Sequence, residues 1–93
     1  MLDEATVRAD LEKTAKKIIC QETWPIYKVA EFLGYSRNYI DMVLEKKKCI
    51  IVRKGGRKHV YAIDVLEMFE RQNGFEFPEP RAQWCKKFKI TPL

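Results

Sequence analysis

Ile26 to Glu45 reads IYKVAEFLGYSRNYIDMVLE, and its apolar spacing divides into two short helices. Ile26, Val29, Ala30 and Leu33 make one helical face over residues 26–33. Pro25 precedes the first turn, where its fixed φ and missing N–H are tolerated. Gly34 follows where a left-handed C-terminal cap is wanted. Ser36 suits the N-cap of a second helix. That helix runs from Arg37 to about Lys46, with Ile40, Val43 and Leu44 inward. Two helices joined by so short a turn cross steeply. The crossing needs a small residue on the first helix, a residue tolerant of positive φ in the turn, and an apolar side chain sent back from the second. Ala30, Gly34 and Ile40 meet these needs in order.

Downstream the period changes from helical to extended. Cys49 to Lys54 and Arg57 to Ile63 are rich in β-branched residues and flank Gly55-Gly56. Two glycines between strand-like runs predict a hairpin, because a type I′ turn needs positive φ at both positions. The turn pairs Lys54 with Arg57, Val52 with His59 and Ile50 with Tyr61 on one face. It pairs Arg53 with Lys58 and Ile51 with Val60 on the other. His59 is expected to be partly packed. Asp64 is expected to cap a further helix, with Glu67 completing a capping-box pattern. Its broad apolar side is Val65, Leu66, Met68 and Phe69, and it ends near Gln72-Asn73-Gly74.

Upstream, residues 3–21 predict a helix in which Val7, Leu11, Ala15 and Ile18 share a face. Asp3 and Glu4 open it and Lys16 and Lys17 sit toward its end, both favourable for the helix dipole. Trp24-Pro25 breaks it, since the residue before proline is pushed away from the α region. Residues 74–93 hold Pro78, Pro80 and Pro92 and show no clear period. Phe75, Phe77, Trp84 and Phe88 make this tail too aromatic for a disordered segment. Part of it is expected to pack on the body or on a second subunit.

The charge is uneven. The chain of 93 residues carries a formal +5, and residues 26–63 hold nine Lys/Arg against three Asp/Glu. The flanks sum to about zero, so the excess lies in the middle third, the footprint expected for a polyanion partner. Cys20, Cys49 and Cys85 are odd in number and far apart. That spacing argues against a disulfide scaffold or a zinc site and for free thiols in a reducing cytoplasm. No apolar run approaches the roughly 20 residues that span a bilayer, and the N-terminus has no signal-peptide pattern. His59 is the lone histidine and has no spaced Cys or Ser partner. Lys54-Gly-Gly-Arg57 belongs to a hairpin rather than a phosphate-binding loop. No catalytic residue, cofactor or metal is expected.

The Ala30-Gly34-Ile40 pattern closely resembles the helix-turn-helix consensus. With the basic hairpin, Tyr61 and the helix opening at Asp64-Val65-Leu66, residues 24–73 resemble the small winged-helix domains of excisionases and MerR-type proteins. The long N-terminal helix and the aromatic tail depart from that minimal pattern. The resemblance implies an α+β, mainly α fold: a winged helix-turn-helix with an extra N-terminal helix, a two-stranded hairpin wing and an aromatic C-terminal tail. The expected division of one domain, 1–93, is an N-terminal helix 1–21, the helix-turn-helix 26–46, the wing 49–63, a C-terminal helix 64–73 and the tail 74–93.

In those families the second helix enters the major groove and the wing lies against backbone and minor groove. Carried onto this chain, Ser36, Arg37, Asn38 and Asp41 meet base edges, with Met42 at the margin of that set, and Asp41 reads equally as a solvated helix position. Arg suits guanine, Asn adenine, and Asp accepts from cytosine N4. Tyr39 is open to two readings, stacking on sugar-phosphate or joining the core. Lys46, Lys47 and Lys48 read either as phosphate contacts or as a solvated helix end. Arg53, Lys54, Arg57 and Lys58 flank a tip without side-chain bulk and engage phosphates or a narrow minor groove.

The expected partner is double-stranded DNA, bound in the cytoplasm (bacterial nucleoid, or host cell if phage-encoded). The resemblance implies an excisionase-like architectural factor or a small transcriptional regulator of a bacterial or phage mobile element. A second hypothesis is a protein-interaction adaptor or inhibitor on the same scaffold, docking through Trp24, Trp84 and Phe88. The N-terminal helix either pairs across a homodimer axis or covers the chain's own core.

Overall fold

In a computed structural model, residues 4–77 and 81–88 are described. The expected helix opening at Asp3, and Pro78, Pro80 and Pro92, lie outside them. The element order is α1 (Glu4–Ile19), β1 (Thr23–Pro25), α2 (Ile26–Leu33), α3 (Arg37–Lys46), β2 (Ile51–Lys54), β3 (Arg57–Tyr61), α4 (Ala62–Asn73) and α5 (Arg81–Lys87). The chain is a small α+β fold, mainly helical, with one antiparallel three-stranded sheet in the order β1-β3-β2. No helix among the described residues is long and apolar enough to cross a membrane.

α2 and α3 have the predicted bounds. Gly34 closes α2 in the left-handed region at φ 73°, and the Tyr35 N–H donates to the Ala30 carbonyl at 2.9 Å. Ser36 opens α3, its hydroxyl accepting from the Tyr39 N–H at 3.1 Å. The hairpin keeps the predicted register from Ile51↔Val60 to Lys54↔Arg57, with φ 57° at Gly55 and 76° at Gly56. Its strands are shorter than expected: β2 starts at Ile51 and β3 ends at Tyr61, so the Ile50–Tyr61 pair falls outside the register.

Three expectations need correction. The sheet has a third strand, because Thr23–Pro25 pairs with β3 as Thr23↔Tyr61, Trp24↔Val60 and Pro25↔His59. Pro25 pushes Trp24 into extended backbone, and an edge strand tolerates proline. Thr23 Oγ1 lies 3.2 Å from His59 Nδ1, which leaves His59 half-buried. Secondly, Asp64 is not the cap of α4. Tyr61 holds that position without a side-chain hydrogen bond, and Asp64 lies in the first turn. The β1–β3 pairing ends at Tyr61, and the Ala62 N–H donates to the Glu22 carbonyl at 3.0 Å, so the helix starts earlier. Thirdly, the tail contains a helix, α5, which carries the buried Trp84 and Cys85.

α4 is the centre of the core. It buries Ala62, Ile63, Val65, Leu66, Met68 and Phe69 and packs against α1, α2, β1 and β3. α1 ends at Ile19 and docks only its C-terminal half: Ala15, Ile18 and Ile19 are buried, Leu11 is half-buried and Val7 is exposed. Helix ends leave orphan carbonyls, and here two indoles reach adjacent ones. Trp24 Nε1 donates to the Ile18 carbonyl at 2.8 Å and Trp84 Nε1 to the Ile19 carbonyl at 3.2 Å. Trp84 is 1% exposed and Phe75 and Phe77 are buried, so the tail closes the core. Glu70 anchors that return by accepting from the Phe77 N–H at 2.7 Å. Trp84→Ala is therefore expected to cost about 3–5 kcal/mol, read as a lowered midpoint in urea. A midpoint unchanged from wild type would show that the tail adds nothing to the core.

Candidate nucleic-acid interface

The charged middle of the chain folds around one cleft. α2 supplies Ile26, Tyr27, Ala30 and Glu31; α3 supplies Arg37, Ile40 and Asp41; the hairpin supplies Arg53, Gly56, Arg57 and Lys58. Its volume is about 690 Å³. Ala30 and Ile40 form the floor and are buried. Four cations and two carboxylates line the walls, so the cleft is net positive. The cations approach from both sides, Arg37 from the first turn of α3 and the other three from around the Gly-Gly tip.

Local rules set each position. Ile40 and Leu44 turn inward on α3, one helical turn apart. At about 3.6 residues per turn, Asn38 and Met42 project on the opposite side. Both are exposed, Met42 at 56%. In the hairpin, alternation puts Arg53 and Lys58 on the face of Ile51 and Val60, and Lys54 and Arg57 on the face of Val52 and His59.

The cleft thus gathers Arg37, Asp41, Arg53, Arg57 and Lys58 from the predicted set. Ser36 is exposed beside it, with its hydroxyl engaged in the cap. Asn38, Tyr39 and Lys46 are exposed but line no part of it. Tyr39 is 45% exposed and packs edge-on against Tyr35 with ring centroids 4.8 Å apart, so it lies on the surface rather than in the core. Lys47 points elsewhere. Its amine lies 3.5 Å from Glu67 Oε1 on α4, and its side chain is only 19% exposed. Lys54 reaches Glu22 at 3.9 Å, a half-exposed pair of the kind worth at most about 1 kcal/mol.

Tyr27 was not expected. It is 51% exposed, lines the cleft, and carries the Arg57 guanidinium 5.1 Å above its ring centroid. Such a contact is worth about 0.5–1 kcal/mol at an exposed site and ties the hairpin to α2. The available signal was a tyrosine among Lys28 and Glu31 on the polar side of a short helix.

No family model, curated protein or solved structure matches the chain.

Among the described residues there is no group of three or more His, Cys, Asp or Glu placed to hold a metal ion. Cys20 is exposed, Cys49 half-buried and Cys85 buried, and they are not joined to one another in a disulfide. The wall formed by α3 depends on its N-cap. Ser36→Ala should lower stability by about 1 kcal/mol in chemical denaturation while leaving the near-UV signature of the core intact. An unchanged midpoint would mean that the cap does not set the start of α3.

Proposed function

We propose that this chain binds double-stranded DNA through a winged helix-turn-helix and has no catalytic activity of its own. α2 and α3 form the helix-turn-helix, α3 lies in the major groove, and the β2–β3 hairpin is the wing against backbone and minor groove. The observation that carries this reading is the shared surface of Arg37 on α3 and Arg53, Arg57 and Lys58 around the Gly55-Gly56 tip. A protruding helix fits a groove about 12 Å wide, and cations at its side neutralise the phosphates on the rim. The exposed residues Arg37 and Asn38 project where base edges would lie. Asp41 accepts from a base donor or orients Arg37 within the same wall.

The role proposed is an excisionase-like architectural factor or a small transcriptional regulator of a bacterial or phage mobile element, on the strength of the residues 24–73 pattern. The rings that an adaptor would use are occupied. Trp84 is buried, and Trp24 and Phe88 are partly buried against the core. That observation supports the DNA reading over the adaptor reading.

Binding to a labelled random duplex, followed by fluorescence anisotropy, should be strong at 50 mM salt. It should weaken by about 10²–10³-fold at 200 mM, as several phosphate contacts require. No binding at low salt overturns the proposal. Within it, Arg37→Ala should relax base preference at one position by about 1–3 kcal/mol when bound sequences are selected from a random pool. Lys58→Ala should weaken all duplexes alike. The reverse pattern would remove α3 from the groove.

A further inference from the structure

The three lysines that end α3 do not behave alike. Lys46 is exposed on α3 and lines no part of the cleft. Lys47 is turned inward to Glu67. Lys48 has φ 56°, and it is the sole non-glycine with positive φ among the described residues. The left-handed region is strained for an L-residue through the crowding of Cβ against carbonyl oxygen. At the ends of α2 and α4 the same conformation is given to Gly34 and Gly74. At the end of α3 a lysine holds it, while the Cys49 N–H donates to the Leu44 carbonyl at 3.0 Å to close the turn.

The side chain gives a reason for that choice. A second recess, about 450 Å³, lies between the C-terminal half of α3 and the hairpin, and Lys48 and Lys58 both line it. Leaving the helix at a left-handed residue sets Lys48 on the recess that faces the hairpin, with Asp41 and Glu45 in the same lining. Among the described residues Lys48 makes no ion pair. Two cations and two carboxylates leave the recess without net charge, so it does not hold a free anion. A duplex lying along α3 would bring its own phosphates to that edge.

We propose that Lys48, and not Lys47, is the phosphate-contacting lysine at the end of α3, facing a DNA backbone phosphate across the recess from Lys58. The inference rests on the duplex-binding reading. The backbone strain at position 48 is retained because the position needs an amine and glycine has none.

The test compares Lys48→Gly, Lys48→Arg and Lys47→Ala in the intact chain, using one random duplex over a salt series and thermal melting without DNA. Lys48→Gly should melt no lower than wild type, yet bind several-fold more weakly at low salt. Its slope of log K against log salt should be shallower by about 0.9, the share of one phosphate. Lys48→Arg should keep the slope. Lys47→Ala should melt lower and keep the slope. If wild type binds with a steep slope and Lys48→Gly matches it, the assignment of Lys48 is wrong while the DNA reading stands. A slope lost in Lys47→Ala but not in Lys48→Gly likewise overturns it. If wild type shows no salt-dependent binding, both fall.

Discussion

The corner between α2 and α3 is the constraint on which the cationic surface depends. Gly34 takes a left-handed conformation that ordinary side chains avoid, and the chain turns through Tyr35 and Ser36 within three residues. Only then do Ala30 and Ile40 come to share a floor, with Arg37 carried up one wall. A longer or looser turn would let α3 lie flat on the body and bury its charged first turn. The hairpin depends on the same corner, since α3 leads into it through Lys48 and Cys49.

Rigidity is supplied from the other side of the molecule. α4 fills the core, and the sheet starts it early by holding Tyr61 and Ala62 through β1. α1 is held by its last turn, where Ala15, Ile18 and Ile19 are buried and two indoles take adjacent carbonyls. The tail returns through Phe75 and Phe77 to seat Trp84. Short chains bury a smaller fraction of their surface than long ones, so a 93-residue chain gains much from bringing Phe75, Phe77, Trp84 and Cys85 into the core.

Much of this was legible in the sequence where local chemistry decides. Gly34, Ser36 and Gly55-Gly56 each admit few conformations, and the elements they bound fall where expected. Thr23–Pro25 was not legible as a strand, because three residues show no alternation and their pairing is with a strand more than thirty residues away. Asp64 looked like a cap because its local pattern is right, but sheet pairing at Tyr61 overrode it. α5 was hidden because seven residues hold too few turns to reveal a period. At the candidate site, charge and helix phase singled out Arg37, Arg53, Arg57 and Lys58, which the fold brings to one cleft. They said nothing about Lys47, whose direction is fixed by Glu67 twenty residues away, or about Tyr27, whose partner lies across the cleft.

The two tryptophans of the chain meet at the end of α1, and neither lines the cleft or the recess beside it. Tyr27 and Tyr35 do line the cleft. Indole emission from this protein is therefore a gauge of how α1, β1 and α5 are sealed together. Anything that fills the cleft meets Tyr27 and Tyr35 rather than either indole, whereas Tyr61 lies beside Trp84 on the sealed side.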